Sequence, residues 1–462
     1  MATSGISLGM RNRFGVADFG LSTITAAMQF YLLFYYTDVV HIEPALAGAA
    51  MLTGKLTWDM VNNLLVGWIS DRTRSRWGRR RPYLIFVSVP LGLAFWLLFS
   101  LPTGLTGAGA FFAVLGSFLV FDTCLTFVST TYQSMSAELT TDYQERTKLI
   151  TVRMIYNAVG YIFGAAAMTL LAAALGGTSA AWSTVGLVFG AVCAVAVLVT
   201  GLTVTQPPAV DPTPVTMPPV RSILTTFRNR PWVLFLTIQL MIGLGFTFVT
   251  TMLPYFSKYE VLMDSQTSYI LLLMLVVLVG FLVPCGILVE RIGKSKAYAA
   301  GLTLASFSLL TALLLPHHAT WVMYLIAVLC GIGFSAQWVG PHSMMPDVIE
   351  YDELLTGERR EGIYYGLWAA AGKLSSAVAI WLCGVGLSLS GYVENAAQSP
   401  TALRGIALLF VVIPVALFVA SAAMLFRYPI TRASHAEVLR RIAERRGASQ
   451  DVLVGDEAVP VE

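Results

Sequence analysis

Long apolar segments alternate with short polar connections along most of the chain. About twelve of them approach the roughly 20 residues that a helix needs to cross a bilayer. Their residues lack the period-2 alternation typical of β-strands. We therefore predict an all-α membrane protein with twelve transmembrane helices. The predicted spans are residues 14–39, 45–70, 83–102, 106–136, 147–175, 180–204, 231–257, 266–289, 297–315, 320–345, 362–390 and 401–427.

The composition excludes a soluble protein. Hydrophobic residues make up 56% of the chain, charged residues 12%, and the mean hydropathy is +0.72. A soluble domain usually carries about 25% charged residues. The net charge of +3 does not indicate a nucleic-acid partner. Because HExxH and CxxC motifs are absent, we predict neither an enzyme nor a cofactor.

Basic residues are concentrated in alternate connections between the spans. They crowd "DRTRSRWGRRR", "RSILTTFRNR", "ERIGKSK" and the tail, whereas "HIEP", "PTGLTGAG" and "GGTSA" carry none. The positive-inside rule therefore predicts that both termini are cytoplasmic. We expect a multi-pass monomer in the cytoplasmic membrane, with the lipid bilayer and a small-molecule substrate as its partners.

A proline-rich connection at residues 205–230 divides the chain after the sixth span. Prolines prevent a packed helix and favour an extended linker. The connections after spans two and eight share a glycine, an acid–arginine pair and then a glycine with a cation. Two similar halves are the layout of the major facilitator fold. We predict bundles at 1–204 and 231–427, joined by this cytoplasmic linker, and a cytoplasmic tail at 428–462.

Several ionisable residues interrupt the apolar spans. Such a residue at the bilayer centre costs at least ~2.5–3.5 kcal/mol and usually faces a cavity or a partner. Asp59 is the strongest candidate for function, because Lys55, Asn62 and Asn63 can share its helix face. Asp122 fits a structural salt bridge better than a functional site. The candidates in the spans are Asp18, Lys55, Asp59, Asp122, Arg153 and Lys373.

Six motifs carry a resemblance to a known family. They are "FGVADF", "YYTDVV", "WDMVNN", "TRSRWGRRRPY", "PDVIEYDELLTGERREGIYYG" and "GKLSSA". With these motifs the chain resembles, over nearly its whole length, the glycoside–pentoside–hexuronide:cation symporters. This melibiose-permease-like branch belongs to the major facilitator superfamily. The resemblance implies uptake of a sugar-like solute coupled to H⁺ or Na⁺.

The resemblance also implies roles for single residues. It gives cation coupling to Asp59, Asn62, Asn63 and Thr126, with Asp59 and Asn63 as the candidate Na⁺ ligands, and Lys55 joins them because it lies one turn before Asp59. It gives gating to Asp71, Arg72, Arg79 and Arg291, which anchor the cytoplasmic ends of the helices. It gives substrate binding to Asp18, Ser129, Gln133, Arg153, Trp338, Trp368 and Lys373.

The chain departs from the family pattern at four positions, one of which is Ala17, where the family has a basic residue. Ser129 replaces an acid that grips the sugar, Gln133 replaces a tryptophan, and Asn63 replaces the second acid of the cation site. A proton needs one carboxylate, whereas Na⁺ prefers several oxygen ligands. Lys55 or Lys373 could also stand in for Na⁺ beside Asp59. The alternatives are therefore a transporter of an amphipathic solute, such as a lysolipid, and a sodium-independent uniporter.

Overall fold

The structure, a computed structural model, is built from helices. It describes residues 7–59, 62, 65–66, 69–70, 73, 75, 77–78, 80–139, 143–204, 224–262, 266–314, 320–356, 360–432, 434–442 and 444. The helices are α1 Leu8–Phe34, α2 Pro44–Gly54, α3 Arg81–Phe86, α4 Ser88–Leu98, α5 Gly107–Glu138, α6 Tyr143–Ala174, α7 Ser179–Thr203, α8 Arg230–Tyr255, α9 Thr267–Gly280, α10 Leu282–Ile292, α11 Lys294–Thr311, α12 Thr320–Thr356, α13 Glu361–Leu389, α14 Pro400–Ala407 and α15 Ile413–Phe426.

Each predicted span coincides with helix in the described residues. In the part of the chain that the structure describes, eight helical spans are long and apolar enough to cross a membrane, and the bent pair α9 and α10 makes a ninth if it crosses as one span. The remaining predicted spans correspond to α2 with its continuation, to α3 with α4, and to α11. The described residues contain no strand. The all-α prediction is confirmed.

The span predicted at 266–289 is not a continuous helix. The chain bends by 46° between α9 and α10, at Phe281. Pro284 explains the break, because it has no N–H to donate to the carbonyl of Gly280 and its ring clashes with that carbonyl.

A structural repeat relates α1 to α8. Each continues as one π-helical turn, Tyr35–Val39 after α1 and Phe256–Glu260 after α8. Each turn is closed by an amide bond back to its first residue, from Val40 at 3.0 Å and from Val261 at 3.1 Å. The chain then passes through a residue with positive φ, His41 or Leu262. The same local geometry therefore recurs at the start of both halves.

We call α1–α7 the first half and α8–α15 the second half. Among the described residues, the most extensive helix contacts between the halves are those of α1 with α8, α2 with α13, and α6 with α9. We call the end of the bundle that carries Asp38 and Lys258 the distal end. The linker prediction falls largely on residues 205–223, which lie outside the described residues, as do residues 445–462 of the tail. The domain boundaries therefore stay predictions.

Glycines set the close approach of α1 and α6. A Cβ atom on Gly160 would lie 2.3 Å from the carbonyl oxygen of Phe19, and one on Gly164 would lie 2.1 Å from that of Thr23. Such small residues let membrane helices pack backbone to backbone. This contact positions the first-half side chains of the central cavity.

Gly164→Ala should therefore destabilise the protein by about 1–3 kcal/mol, because the backbone of α1 must move away. Gly116→Ala is the matched control, since a Cβ there meets no atom within 4 Å. Thermal unfolding of the purified variants measures the difference. Equal melting temperatures for the two variants would contradict this account of helix packing.

Candidate transport site

A buried ion pair on α1 and α6 forms the centre of the site. The Arg153 Nε donates to Asp18 Oδ2 at 2.7 Å, and Nη2 lies 3.4 Å from Oδ1. Both residues are less than a tenth exposed. Bidentate pairs of this kind fix orientation as well as charge. The carboxylate is thereby held in one position, deep in the first half.

Tyr132 on α5 completes this cluster. Its hydroxyl lies 2.7 Å from Asp18 Oδ2 and 2.9 Å from the carbonyl oxygen of Phe14. Its ring lies under the Arg153 guanidinium, 4.6 Å from ring centroid to Cζ. A cation over an aromatic face is attracted by the ring quadrupole. The sequence analysis missed Tyr132, because a tyrosine in an apolar span has no distinctive pattern.

The cluster lines a cavity between the two halves. The cavity has a volume of about 500 Å³ and takes side chains from α1, α2, α5, α6, α12 and α13. Most residues predicted for substrate binding or coupling meet there. These are Asp18, Lys55, Thr126, Ser129, Gln133, Arg153, Trp338 and Lys373. Trp368 lies instead on an adjoining cavity of about 350 Å³.

Neutral polar side chains extend the lining beyond the predicted set. Asn157 donates to the Ser22 hydroxyl at 2.6 Å, and the Tyr161 hydroxyl donates to Gln29 at 3.0 Å. Gln29 in turn lies 3.4 Å from the Thr250 hydroxyl of the second half. These amides and hydroxyls offer both donors and acceptors, as a hydroxyl-rich solute requires.

The cation-coupling candidates are described only in part. Asn62 is buried and donates to Asp122, at 3.3 Å to the carbonyl oxygen and 3.4 Å to Oδ2. Asp122 also lines the central cavity, which sequence analysis did not favour. The backbone of Asp59 ends a π-helical turn at Lys55–Asp59. The Asp59 side chain and Asn63 lie outside the described residues.

The predicted gating residues Asp71, Arg72 and Arg79 also lie outside the described residues. Arg291 is exposed and forms no ion pair with a described residue. At the start of α11, close to Arg291 in the chain, the ion pair is formed instead by Lys294. Its Nζ lies 2.7 Å from both carboxylate oxygens of Asp347.

His435, on the helix at 434–442, lies beside the ion pair of Lys294 and Asp347. Its Nε2 lies 2.5 Å from Glu350 Oε2 and 3.4 Å from Asp347 Oδ1. Within the described chain, Asp347, Glu350 and His435 are near enough to hold a metal ion. Because Lys294 already neutralises Asp347, we interpret the cluster as docking of the tail on α12.

A second buried charge network closes the distal end. The Asp38 side chain is 1% exposed, and Lys258 of the second half contacts its Oδ1 at 2.9 Å. The hydroxyl of Tyr259 also bonds Oδ1, and the hydroxyl of Tyr392 donates to Oδ2 at 2.6 Å. Burial, and then the Asp38 charge, raise the pKa of Tyr392, so its hydroxyl stays a donor. The network therefore joins α1 to α8 and to the connection after α13.

Other contacts tighten the same end. The Ser388 hydroxyl accepts from the amide of Ala45 at 3.1 Å, and a Cβ on Gly384 would lie 2.3 Å from the carbonyl oxygen of Pro44. The exposed pair of His41 and Glu394 spans 3.7 Å between the halves. The two halves thus contact each other directly at the distal end.

The chain is similar to known membrane transporters in both sequence and fold. The model of the family described as MFS/sugar transport protein matches residues 13–432. The chain is 28% identical over 432 residues to the isoprimeverose transporter of Lactiplantibacillus pentosus, with 91% of this chain and 88% of that protein covered. It is 26% identical over 523 residues to an uncharacterised symporter of Synechocystis, with 94% and 96% covered. The crystal structure of the nucleoside transporter NupG superposes with a TM-score of 0.64 at 14% identity, covering 91% of this chain and 100% of that one.

Two helical halves around a polar cavity define an all-α membrane transporter of the major facilitator fold. The chain belongs to the MFS/sugar transport protein family, the glycoside–pentoside–hexuronide branch that the motifs indicated. This family and the named relatives consist of transporters, so the expectation that the protein is not an enzyme is confirmed.

Proposed function

We propose that the protein is a secondary active symporter that takes up a sugar or glycoside-like solute together with H⁺ or Na⁺. The buried cluster of Asp18, Arg153 and Tyr132 in the cavity between the halves carries this proposal. Its carboxylate oxygens accept from hydroxyl groups, and its guanidinium donates to them. In a site removed from water these charge-assisted bonds are strong. The relative from Lactiplantibacillus pentosus, an isoprimeverose transporter, supports the same substrate class.

Alternating access follows from the position of the cavity. The cavity lies between the halves, and the Asp38 network closes the distal end. Rocking of one half against the other would break this network and expose the cavity to the opposite side. We propose that the distal end faces outward, that both termini are cytoplasmic, and that the protein resides in the cytoplasmic membrane.

We assign cation coupling mainly to the second predicted span, residues 45–70. We propose that Asp59 carries the cation or proton, assisted by Asn62, Asn63, Thr126 and Lys55. The Asn62–Asp122 contact brings a further carboxylate to this side of the cavity. Several oxygen atoms in one place suit a hard cation. A single carboxylate that changes its protonation suits H⁺.

Asp59→Asn should abolish accumulation against a gradient while exchange down a gradient persists, because the amide can neither bind a proton nor neutralise a cation. Uptake of radiolabelled glucosides, xylosides and glucuronides into proteoliposomes measures this, with an imposed pH or sodium gradient in separate series. Glu394→Gln, at the exposed distal surface, is the control and should accumulate substrate normally.

Normal accumulation by Asp59→Asn would remove Asp59 from the coupling role. If uptake by the parent protein depends on neither the pH gradient nor the sodium gradient, the protein is a uniporter instead. Uptake that rises steeply with sodium would argue that neither Lys55 nor Lys373 takes the place of the ion.

A further inference from the structure

A side pocket opens between the two halves, next to the central cavity. It has a volume of about 250 Å³ and is lined by α6 of the first half and by α9, α10 and α12 of the second. It lies at the break between α9 and α10, with Leu278 on one side of Phe281 and Leu282 on the other.

The lining of the side pocket is mostly apolar, unlike that of the central cavity, although His342 of α12 also lines it. Ala158 and Ile162 contribute from α6, and Leu275 and Leu278 from α9. Leu275 and Leu278 are each 2% exposed, so they face protein and pocket rather than the surface. A sugar hydroxyl placed here would lose its hydrogen bonds, which costs free energy. The pocket therefore suits a hydrocarbon group.

Two aromatic residues belong to both spaces. Tyr161 and Trp338 line the central cavity and also the side pocket. Their rings meet edge to face, with centroids 6.2 Å apart. The Tyr161 hydroxyl is held by Gln29 at 3.0 Å, which leaves its ring face for apolar contact. A ligand can thus place a polar part in the cavity and an apolar part beyond this aromatic pair.

We propose that the side pocket binds the apolar aglycone of a glycoside whose sugar occupies the central cavity. This inference rests on the proposed function. At about 30 Å³ for each water-sized group, the pocket holds roughly eight such groups, which corresponds to a phenyl ring or a short alkyl chain. The substrate class becomes an alkyl or aryl glycoside rather than a free sugar.

The side pocket also links ligand binding to the transport cycle. Its walls belong to different halves, with Ala158 on one side and Leu278 and Val339 on the other. A ligand that fills it contacts both halves at once. Its affinity therefore differs between the two states of the transporter, as a ligand must do to shift a conformational equilibrium.

The test compares methyl and hexyl glycosides of glucose, xylose and glucuronic acid. Binding is measured to the full chain in nanodiscs, since many detergents are themselves alkyl glycosides. Each buried methylene group improves affinity by about fourfold. We therefore expect the hexyl compound of the sugar that binds to exceed its methyl compound by tenfold or more.

Ala158→Phe fills the pocket and should reduce this preference to about twofold or less, with the methyl glycoside bound as before. Val159→Phe is the matched control, because Val159 is 53% exposed on the neighbouring position of α6. It should keep the preference. If Ala158→Phe does not fold, Leu278→Ala enlarges the pocket and should move the optimum from hexyl to a longer chain.

The outcomes separate this inference from the proposed function. Methyl glycosides that bind without any effect of chain length overturn the side pocket alone. A preference that is unchanged in Ala158→Phe and Leu278→Ala overturns it as well. Failure of every methyl glycoside in the panel to bind, with lysophosphatidylcholine bound instead, overturns both and favours a lipid chain as the occupant.

Discussion

Arg153→Met should weaken substrate binding at least tenfold and lower the stability of the protein. The Asp18 carboxylate is 6% exposed, and this substitution removes its cationic partner. Loss of one member of a buried ion pair typically costs about 3–5 kcal/mol. Loss of the guanidinium donors should also raise the dissociation constant tenfold or more, which is about 1.4 kcal/mol. Thermal unfolding and ligand binding of the same preparation measure the two effects.

Two controls separate binding from folding. The double variant Asp18→Asn with Arg153→Met removes both charges, so it should recover much of the stability and none of the binding. Arg360→Met breaks another buried bidentate pair, with Asp352, which lies outside the cavity lining. It should lower stability while substrate affinity is preserved. Normal affinity in a folded Arg153→Met protein would exclude Arg153 from the site.

Lys258→Ala should shift the transporter towards the state that is open at the distal end. The closed state holds Asp38 with a 1% exposed side chain against Lys258, Tyr259 and Tyr392. Without the ammonium, an uncompensated carboxylate stays buried at a cost of about 3–5 kcal/mol. Opening hydrates Asp38 and relieves that cost. The open fraction should therefore increase by about a hundredfold or more.

A cysteine at Ser22 reports this shift, since Ser22 lines the central cavity. Its reaction with a membrane-impermeant maleimide, added from the distal side, should accelerate in the Lys258→Ala background. The parent protein with its five native cysteines gives the background rate. His41→Ala is the matched control, because the exposed His41–Glu394 pair contributes little. Equal rates in both backgrounds would show that the Asp38 network does not hold the distal end closed.

Sequence reasoning located most of the cavity because charge in a membrane is a strong signal. Asp18, Arg153 and Lys373 each interrupt an apolar span, and an ionisable residue in lipid costs so much that it must face a cavity or a partner. The family motifs added neutral positions such as Ser129 and Gln133. All of these residues line the cavity of the structure.

The hydropathy pattern could not identify the neutral polar residues that line the cavity. Tyr132, Asn157 and Tyr161 cost little in a span, so their presence does not indicate what they face. Asp38 was passed over because it lies near the end of its span, where a charge can reach water. Asp122 was assigned to packing, yet it lies on the cavity beside Asn62.

The sequence by itself determined which segments span the membrane and which charges are buried in them, because both depend on local hydropathy. Only the tertiary structure decided the partners of those charges. Arg153 lies 135 residues from Asp18, and Tyr392 lies 354 residues from Asp38. Helical periodicity relates residues only three or four positions apart, so contacts over such separations arise from packing of whole helices. The break at Phe281 depends on both the sequence and the tertiary structure. Pro284 determines where the helix bends, and the packing of α6 against α9 determines which pocket the bend lines.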